Sequence, residues 1–284
     1  MTDVQASALG ETAPAVSPNA RSEAVAAQAP QVPHVDGRAT PMVVLDGVSK
    51  VYGRGHERVP ALDRVSLSVR PSEFVCLIGA SGCGKSTLLN LVADLDQPTA
   101  GSVDVRGAAT LMFQEAALFP WLTVAGNISL ALKLRKVPKR ERPARVDELL
   151  DSVHLGGFAK KRPHELSGGM RQRVALARAF AQQTDILLMD EPFGALDAMT
   201  RDLLHDELER LWVERSLTVL FVTHNVREAS RLADRVVLLT SRPGRVAEEF
   251  DVDIPRPRRM DSPEVSSMAA RITDRLREEV RRHA

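Results

Sequence analysis

Nine consecutive residues, Gly79-Ala80-Ser81-Gly82-Cys83-Gly84-Lys85-Ser86-Thr87, fit the pattern G-x-x-x-x-G-K-[ST]. That spacing builds a loop whose backbone N–H groups and lysine cradle phosphates, with glycines where a Cβ would obstruct close approach. Lys85 is placed to bridge the β- and γ-phosphates of a nucleotide, Ser86 to ligate Mg²⁺, and Thr87 to reach the α-phosphate. Further along, Ile186-Leu187-Leu188-Met189-Asp190-Glu191 is an apolar run that ends in two acids. A buried strand there delivers Asp190 beside the phosphate loop, where it can hold a water of the Mg²⁺ shell. Glu191, next in line, can orient an attacking water or accept its proton. Phe221-Val222-Thr223-His224 again ends an apolar run in a polar residue, and aims His224 at the crevice where open α/β sheets bind ligands. Taken singly, these are a glycine-rich turn, a pair of solvated acids and a structural histidine. Their succession in one chain points instead to hydrolysis of a nucleotide phosphate.

Such residues need a sheet to align them. Phe74-Val75-Cys76-Leu77-Ile78 is continuously apolar and ends at Gly79, as suits a buried parallel strand feeding the loop. Ser86 to Val92 reads as the helix whose N-terminus faces the phosphates, where free N–H groups and the helix dipole favour anions. Strand-like runs at 42–45, 65–69, 109–113, 186–189, 219–222 and 236–239 are separated by helical stretches at 143–153, 168–182, 197–215 and 226–233. This alternation predicts an α/β fold with a mostly parallel core sheet covered by helices. The stretch 115–183 is strand-poor and reads as a helical subdomain.

The expected organisation is a disordered Ala/Pro-rich tail over residues 1–40, a nucleotide-binding domain over 41–252, and a C-terminal turn and helix over 253–284. The tail lacks the apolar periodicity that would offset its ordering entropy. In the last segment Pro263 marks a helix start, and Val265, Met268, Ile272, Leu276 and Val280 form an apolar stripe expected to pack back on the domain.

Composition narrows the function classes. The 284 residues are 44% hydrophobic, enough for a sizeable core, and carry a net charge of +1, which leaves no footprint for nucleic acid. The only cysteines are Cys76 and Cys83, too few for a disulfide framework, so a reduced, cytosolic compartment is expected. No stretch approaches the roughly 18 apolar residues of a bilayer span, and no secretory leader pattern is present. Any role at a membrane is expected to be peripheral.

Leu166-Ser167-Gly168-Gly169-Met170 resembles the signature loop of ATP-binding cassette (ABC) proteins, whose commonest form is LSGGQ. The resemblance runs from about Val43 to Val252. It implies the ABC form of the phosphate-loop ATPase fold, with an antiparallel β subdomain and a helical signature subdomain added to the core sheet. It implies further that Ser167, Gly168 and Gly169 complete the ATP site of a second copy, and that Ala195-Leu196-Asp197 crosses between copies. Gln114 resembles the glutamine that reaches Mg²⁺ and senses a transmembrane partner, His224 the switch histidine that contacts the γ-phosphate, and Tyr52 the aromatic residue that stacks on adenine. Two departures stand out: Asn225 where the family more often has Asp, and Asp94 in place of a common glycine.

Finer matches resemble importers of nitrate, sulfonates and taurine. They include Phe119-Pro120-Trp121, His164 to Arg173, Asp190 to Ala198, Arg242-Pro243-Gly244-Arg245 and Ile254 to Arg259. The resemblance therefore implies an ATP-hydrolysing, Mg²⁺-dependent subunit on the cytoplasmic face of the plasma membrane. Its implied partners are a second copy, an integral-membrane permease and, indirectly, an extracytoplasmic solute-binding protein. Aliphatic sulfonates rank first as the solute, then nitrate, then taurine. The alternatives are a soluble non-transport ABC ATPase acting on nucleic acid, and a non-hydrolysing ATP sensor.

Overall fold

β1 (Val43–Tyr52) and β2 (Val59–Val69) pair antiparallel and bury one face, with Val43, Leu45, Val48, Val65, Leu67 and Val69 inside. The structure is a computed structural model that describes residues 39–282 apart from Arg54, so the expected tail falls almost wholly outside the described residues. β3 (Phe74–Ile78) is buried at every position and runs into the phosphate loop, from which α1 (Lys85–Val92) departs. β4 (Ala100–Val105) completes a three-stranded antiparallel sheet of order β2-β1-β4. β5 (Ala109–Met112) belongs to the main sheet.

Three helices follow before the next strand: α2 (Val124–Leu134), α3 (Arg142–Ser152) and α4 (Gly168–Ala181). Then come β6 (Ile186–Asp190), α5 (Ala198–Arg215), β7 (Thr218–Val222), α6 (Val226–Leu232), β8 (Arg235–Leu239), β9 (Val246–Asp251) and α7 (Pro263–Arg282). The main sheet has six strands in the order β5-β6-β7-β3-β8-β9, parallel throughout except for the β8–β9 pair. The fold is thus the expected mostly parallel α/β sheet with a separate antiparallel sheet beside it.

β3 shows why its residues form a central strand. Phe74, Cys76 and Ile78 join one hydrophobic cluster with α4, α5 and α6, while Val75 and Leu77 join a second with α1 and the antiparallel sheet. Period-two alternation feeds both faces, so every position must be apolar. Each fully buried large side chain contributes about 1.5–3 kcal/mol. Glu73, at the foot of β3, is fully buried yet charged-paired with Arg235 at 2.9 Å and Arg70 at 3.1 Å. Burial pushes its carboxyl up, but the bonds from these arginines win and hold it below the usual range.

Parallel register does the aligning. Leu77 and Asp190 both pair with Val222, and Met112 pairs with Met189. The C-terminal ends of β3, β6, β7 and β5 are therefore level, and the loops that leave them share one edge of the sheet. α7 packs on α6 and on the core through Val265, Ile272 and Ala269, with Met268 and Leu276 partly buried and Val280 exposed. Arg275 holds α7 to β9 through Glu248 at 2.6 Å.

Candidate active site

The phosphate loop is built by its own backbone. Gly84 caps α1 with φ 95° and ψ 10°, a left-handed conformation, and a Cβ there would lie 2.6 Å from the Leu62 side chain and 2.8 Å from the Ala61 carbonyl. No side chain caps α1, so the N–H groups of Lys85, Ser86 and Thr87 remain available at the helix start. Lys85 is largely buried, and its ammonium donates to the Gly79 carbonyl at 2.9 Å and the Ala80 carbonyl at 3.1 Å. Cys83 is buried beneath the loop, and burial pushes its thiol up, which makes it a packing residue. The segment Arg242-Pro243-Gly244 supports the loop from below. Gly244 sits so close that a Cβ would come 2.0 Å from the Cys83 carbonyl, and Arg242 Nε donates to Gly82 O at 3.3 Å. In the sequence this segment is only a mark of kinship; in the structure it is a strut.

Asp190 ends β6 next to the loop and receives a hydrogen bond from the Ser86 hydroxyl. Burial raises its carboxyl above the ordinary value; the Ser86 bond and the Lys85 charge act against that, while the Glu191 charge adds to it. A cation beside these two oxygens would relieve the burial, and Mg²⁺ commonly takes only one or two protein oxygens and fills the rest with water and phosphate. Among the described residues no group of three or more His, Cys, Asp or Glu side chains is arranged to hold a metal. The Ser86 hydroxyl and the Asp190 carboxylate are hard oxygen donors of the kind Mg²⁺ takes.

Glu191 takes φ 46°, a left-handed conformation rare for a residue with a Cβ, and its N–H donates to Val222 O at 3.0 Å. The unusual backbone turns the chain sharply at the strand end. Two side chains meet it there: Gln114 Nε2, expected to reach Mg²⁺, donates to Glu191 Oε2 at 3.3 Å, and His224 Nδ1 lies 3.3 Å from the same oxygen. Gln114, Glu191 and His224 thus form one constellation, drawn from the ends of β5, β6 and β7. Among the described residues no hydrogen bond joins Gln114 to Ser86 or Asp190. His224 is 70% exposed in its side chain, open toward whatever approaches this edge.

The signature segment lies elsewhere in the fold. Ser167 caps α4, its hydroxyl accepting from Met170 N at 3.2 Å. Ser167 and Gly168 are exposed, and among the described residues no hydrogen bond joins 167–169 to 79–87. Gly169 backs onto the Ala195-Leu196-Asp197 segment, where Asp197 caps α5 through Thr200 N at 2.9 Å. Two residues missed in the sequence link α4 to the Gln114 loop. Gln172 donates to the Gln114 carbonyl at 3.3 Å, and Arg178 donates to the carbonyls of Ala117 at 2.7 Å and Ala116 at 3.1 Å. Their trace was a polar side chain on the otherwise apolar face of a helix.

Tyr52 ends β1, 40% exposed, with its hydroxyl donating to Asp96 at 3.0 Å and the Lys50 ammonium 5.0 Å from its ring centre. Among the described residues it makes no hydrogen bond to the phosphate loop. Asn225 caps α6, accepting from Arg227 N at 3.1 Å and Glu228 N at 3.3 Å. Asparagine and aspartate cap about equally well, so this departure keeps its local task. Asp94 adopts φ 55° just after α1, which explains why a glycine suits that position. Finally, α2, α4 and the Gln114 loop enclose an open groove of about 310 Å³ lined by Phe113, Phe119, Leu130, Leu134 and Arg178.

The family model for ABC transporter matches residues 62–194. An uncharacterized ABC transporter ATP-binding protein of Methanocaldococcus jannaschii is 44% identical over 244 residues, which cover 83% of this chain and 91% of that one. The aliphatic sulfonates import ATP-binding protein of Bacillus licheniformis is 45% identical over 222 residues, 75% of this chain and 86% of that one. Relatives named for taurine, nitrate and bicarbonate span 43% to 48% identity. Among solved structures, the dimeric post-hydrolysis state of an ATP-binding cassette bound to ADP and Pi matches with TM-score 0.70 at 35% identity, over 75% of this chain and 100% of that one.

Proposed function

The chain belongs to the ABC transporter family, and from that premise we propose that it is the ATP-hydrolysing subunit of a membrane importer. The observation that carries this reading is the convergence of Gln114 and His224 on one carboxylate oxygen of Glu191, each at 3.3 Å, at the sheet edge that also holds the phosphate loop. A carboxylate so gripped can hold an attacking water in line and take its proton, while His224 reaches the γ-phosphate. Gly79 to Thr87 wrap the phosphates with backbone N–H groups, and the Lys85 ammonium exchanges its loop carbonyls for the β- and γ-oxygens. Ser86 and Asp190 would hold Mg²⁺, with Gln114 adjoining; the ion neutralises charge on the phosphates when bound. Tyr52 supplies the surface on which adenine stacks.

Two copies close on two ATP molecules, each nucleotide meeting the phosphate loop of one and Ser167, Gly168 and Gly169 of the other. The exposed start of α4, which among the described residues makes no hydrogen bond to the phosphate loop, supports that arrangement. Closure acts on a permease docked over the groove beside Gln114. Support comes from the exposed Phe113, Phe119, Trp121 and Leu134 around it, and from Gln172 and Arg178, which tie that loop to the signature helix. Among the described residues no helix is long and apolar enough to cross a membrane, which fits a peripheral subunit on the cytoplasmic face that meets a solute-binding protein only through the permease. The solute is a sulfonate, nitrate or taurine, with bicarbonate added by the relatives' names.

Glu191→Gln tests the reading. Expressed with its membrane partner, the variant should bind ATP, accumulate as a dimer, carry a membrane-spanning protein through purification, and lose hydrolysis by about a thousandfold, the scale of a lost transition-state group. Near-normal phosphate release would remove Glu191 from the mechanism, and purification without a membrane protein would remove the importer.

A further inference from the structure

Behind the exposed His224 lies a buried polar chain that the hydrolysis reading does not use. His205, on α5, is completely buried, and its Nε2 lies 2.7 Å from Glu228 Oε1 on α6. The other Glu228 oxygen accepts from the Thr223 hydroxyl, and Glu228 as a whole is 4% exposed. Thr223 immediately precedes His224, is itself 3% exposed, and its Oγ1 accepts from Asn225 N at 3.0 Å. The chain also reaches the second catalytic loop: the His205 ring meets the Phe193 ring edge-on at 4.9 Å, and Phe193 stands two residues after Glu191. His205 Nδ1 is buried with no hydrogen-bond partner, Asp202 Oδ1 being 3.9 Å away.

Burying three polar side chains for packing alone is costly, since apolar residues of like shape would serve without desolvation. What hydrogen bonds add over apolar contact is direction, fixing where the loop between β7 and α6 turns. We infer that His205, Glu228 and Thr223 are positioning residues: they hold the backbone at Thr223–Asn225 so that His224 meets Glu191 at the height the reaction needs. His205 is the shared anchor, tied to the His224 loop through Glu228 and Thr223 and to the Glu191 loop through Phe193. This inference rests on the hydrolytic role of His224 proposed above.

A double-mutant cycle on steady-state ATP hydrolysis by the full-length chain tests it. Thr223→Val removes the hydroxyl and keeps the branched shape. It should lower kcat about tenfold, as expected of a small misplacement near the reacting atoms, with the KM for ATP within about twofold. Thr223→Ser should restore kcat. In a His224→Ala background Thr223→Val should cost nothing further, because the group it positions is gone. Equal losses in both backgrounds, or a loss confined to KM, would reduce the chain to ordinary packing and overturn the inference. An unchanged kcat in Thr223→Val with a slow His224→Ala overturns the positioning role alone; a normal His224→Ala overturns both it and the catalytic role. If Thr223→Val fails to fold, Thr223→Ala carries the same cycle with the same criteria.

Discussion

The starts of α1 and α4 are both helix N-termini next to glycines, yet they are finished differently. α1 begins at Gly84 with no side-chain cap, and its loop is enclosed from within the chain by Lys85, Ser86, Asp190 and the Arg242–Gly244 strut. α4 begins at Ser167, whose hydroxyl already occupies one of the free N–H groups, and its outer face is exposed. A helix N-terminus favours anions in both cases. The difference teaches that one end is closed in by its own chain and the other left open, which is what the proposed roles of phosphate cradle and half-site require.

Lys85→Ala should separate the two most sharply. Losing a charge-assisted contact to phosphate should weaken ATP binding by about 10- to 100-fold, read by calorimetric titration; unchanged affinity would break the claim that the α1 end is the primary cradle. Ser167→Ala should leave ATP affinity of the single chain unaltered and weaken ATP-dependent dimerisation, read by sedimentation with the Glu191→Gln background holding the nucleotide. The lost cap should also cost about 1 kcal/mol of stability, and a fall in single-chain ATP affinity would place both helix starts on one nucleotide. The smallest effect is expected at the far end of α1. Asp94→Gly relieves a left-handed φ but loosens the unfolded chain and drops the bond from Gln97 Nε2 at 2.7 Å. These terms nearly cancel, so the melting temperature should move by the equivalent of less than about 1 kcal/mol, with hydrolysis unchanged.

What was legible follows from how local each feature is. The core strands announced themselves because burial on two faces demands unbroken apolar runs, as at Phe74–Ile78 and Thr218–Val222. β4 and β9 did not: Ala100–Val105 and Val246–Asp251 are edge strands, the first mostly exposed and the second mostly half-buried, and carry acids or glycine where a pattern would be sought. α2 was hidden inside a stretch read only as helical. The phosphate loop and the Asp190-Glu191 pair are contiguous, so their spacing sufficed. The bracing bonds were not, because Gln172 and Gln114 are 58 residues apart and His205 and Glu228 are 23 apart. Solute identity is illegible for another reason: relatives named for four solutes share one range of identity, 43% to 48%.

The left-handed backbone at Glu191 has a consequence for anyone who improves this molecule. A residue with a Cβ held in that conformation costs about 1–2 kcal/mol, which glycine would avoid. Glycine also loosens the unfolded chain and drops the contacts with Gln114 and His224, so selection for heat resistance alone should tolerate replacing Glu191 with glycine and let through chains that lack the carboxylate proposed to drive turnover. A thermostability campaign on this chain needs an activity screen at every round, because one of its nine described non-glycine positions with positive φ carries the carboxylate proposed to drive hydrolysis.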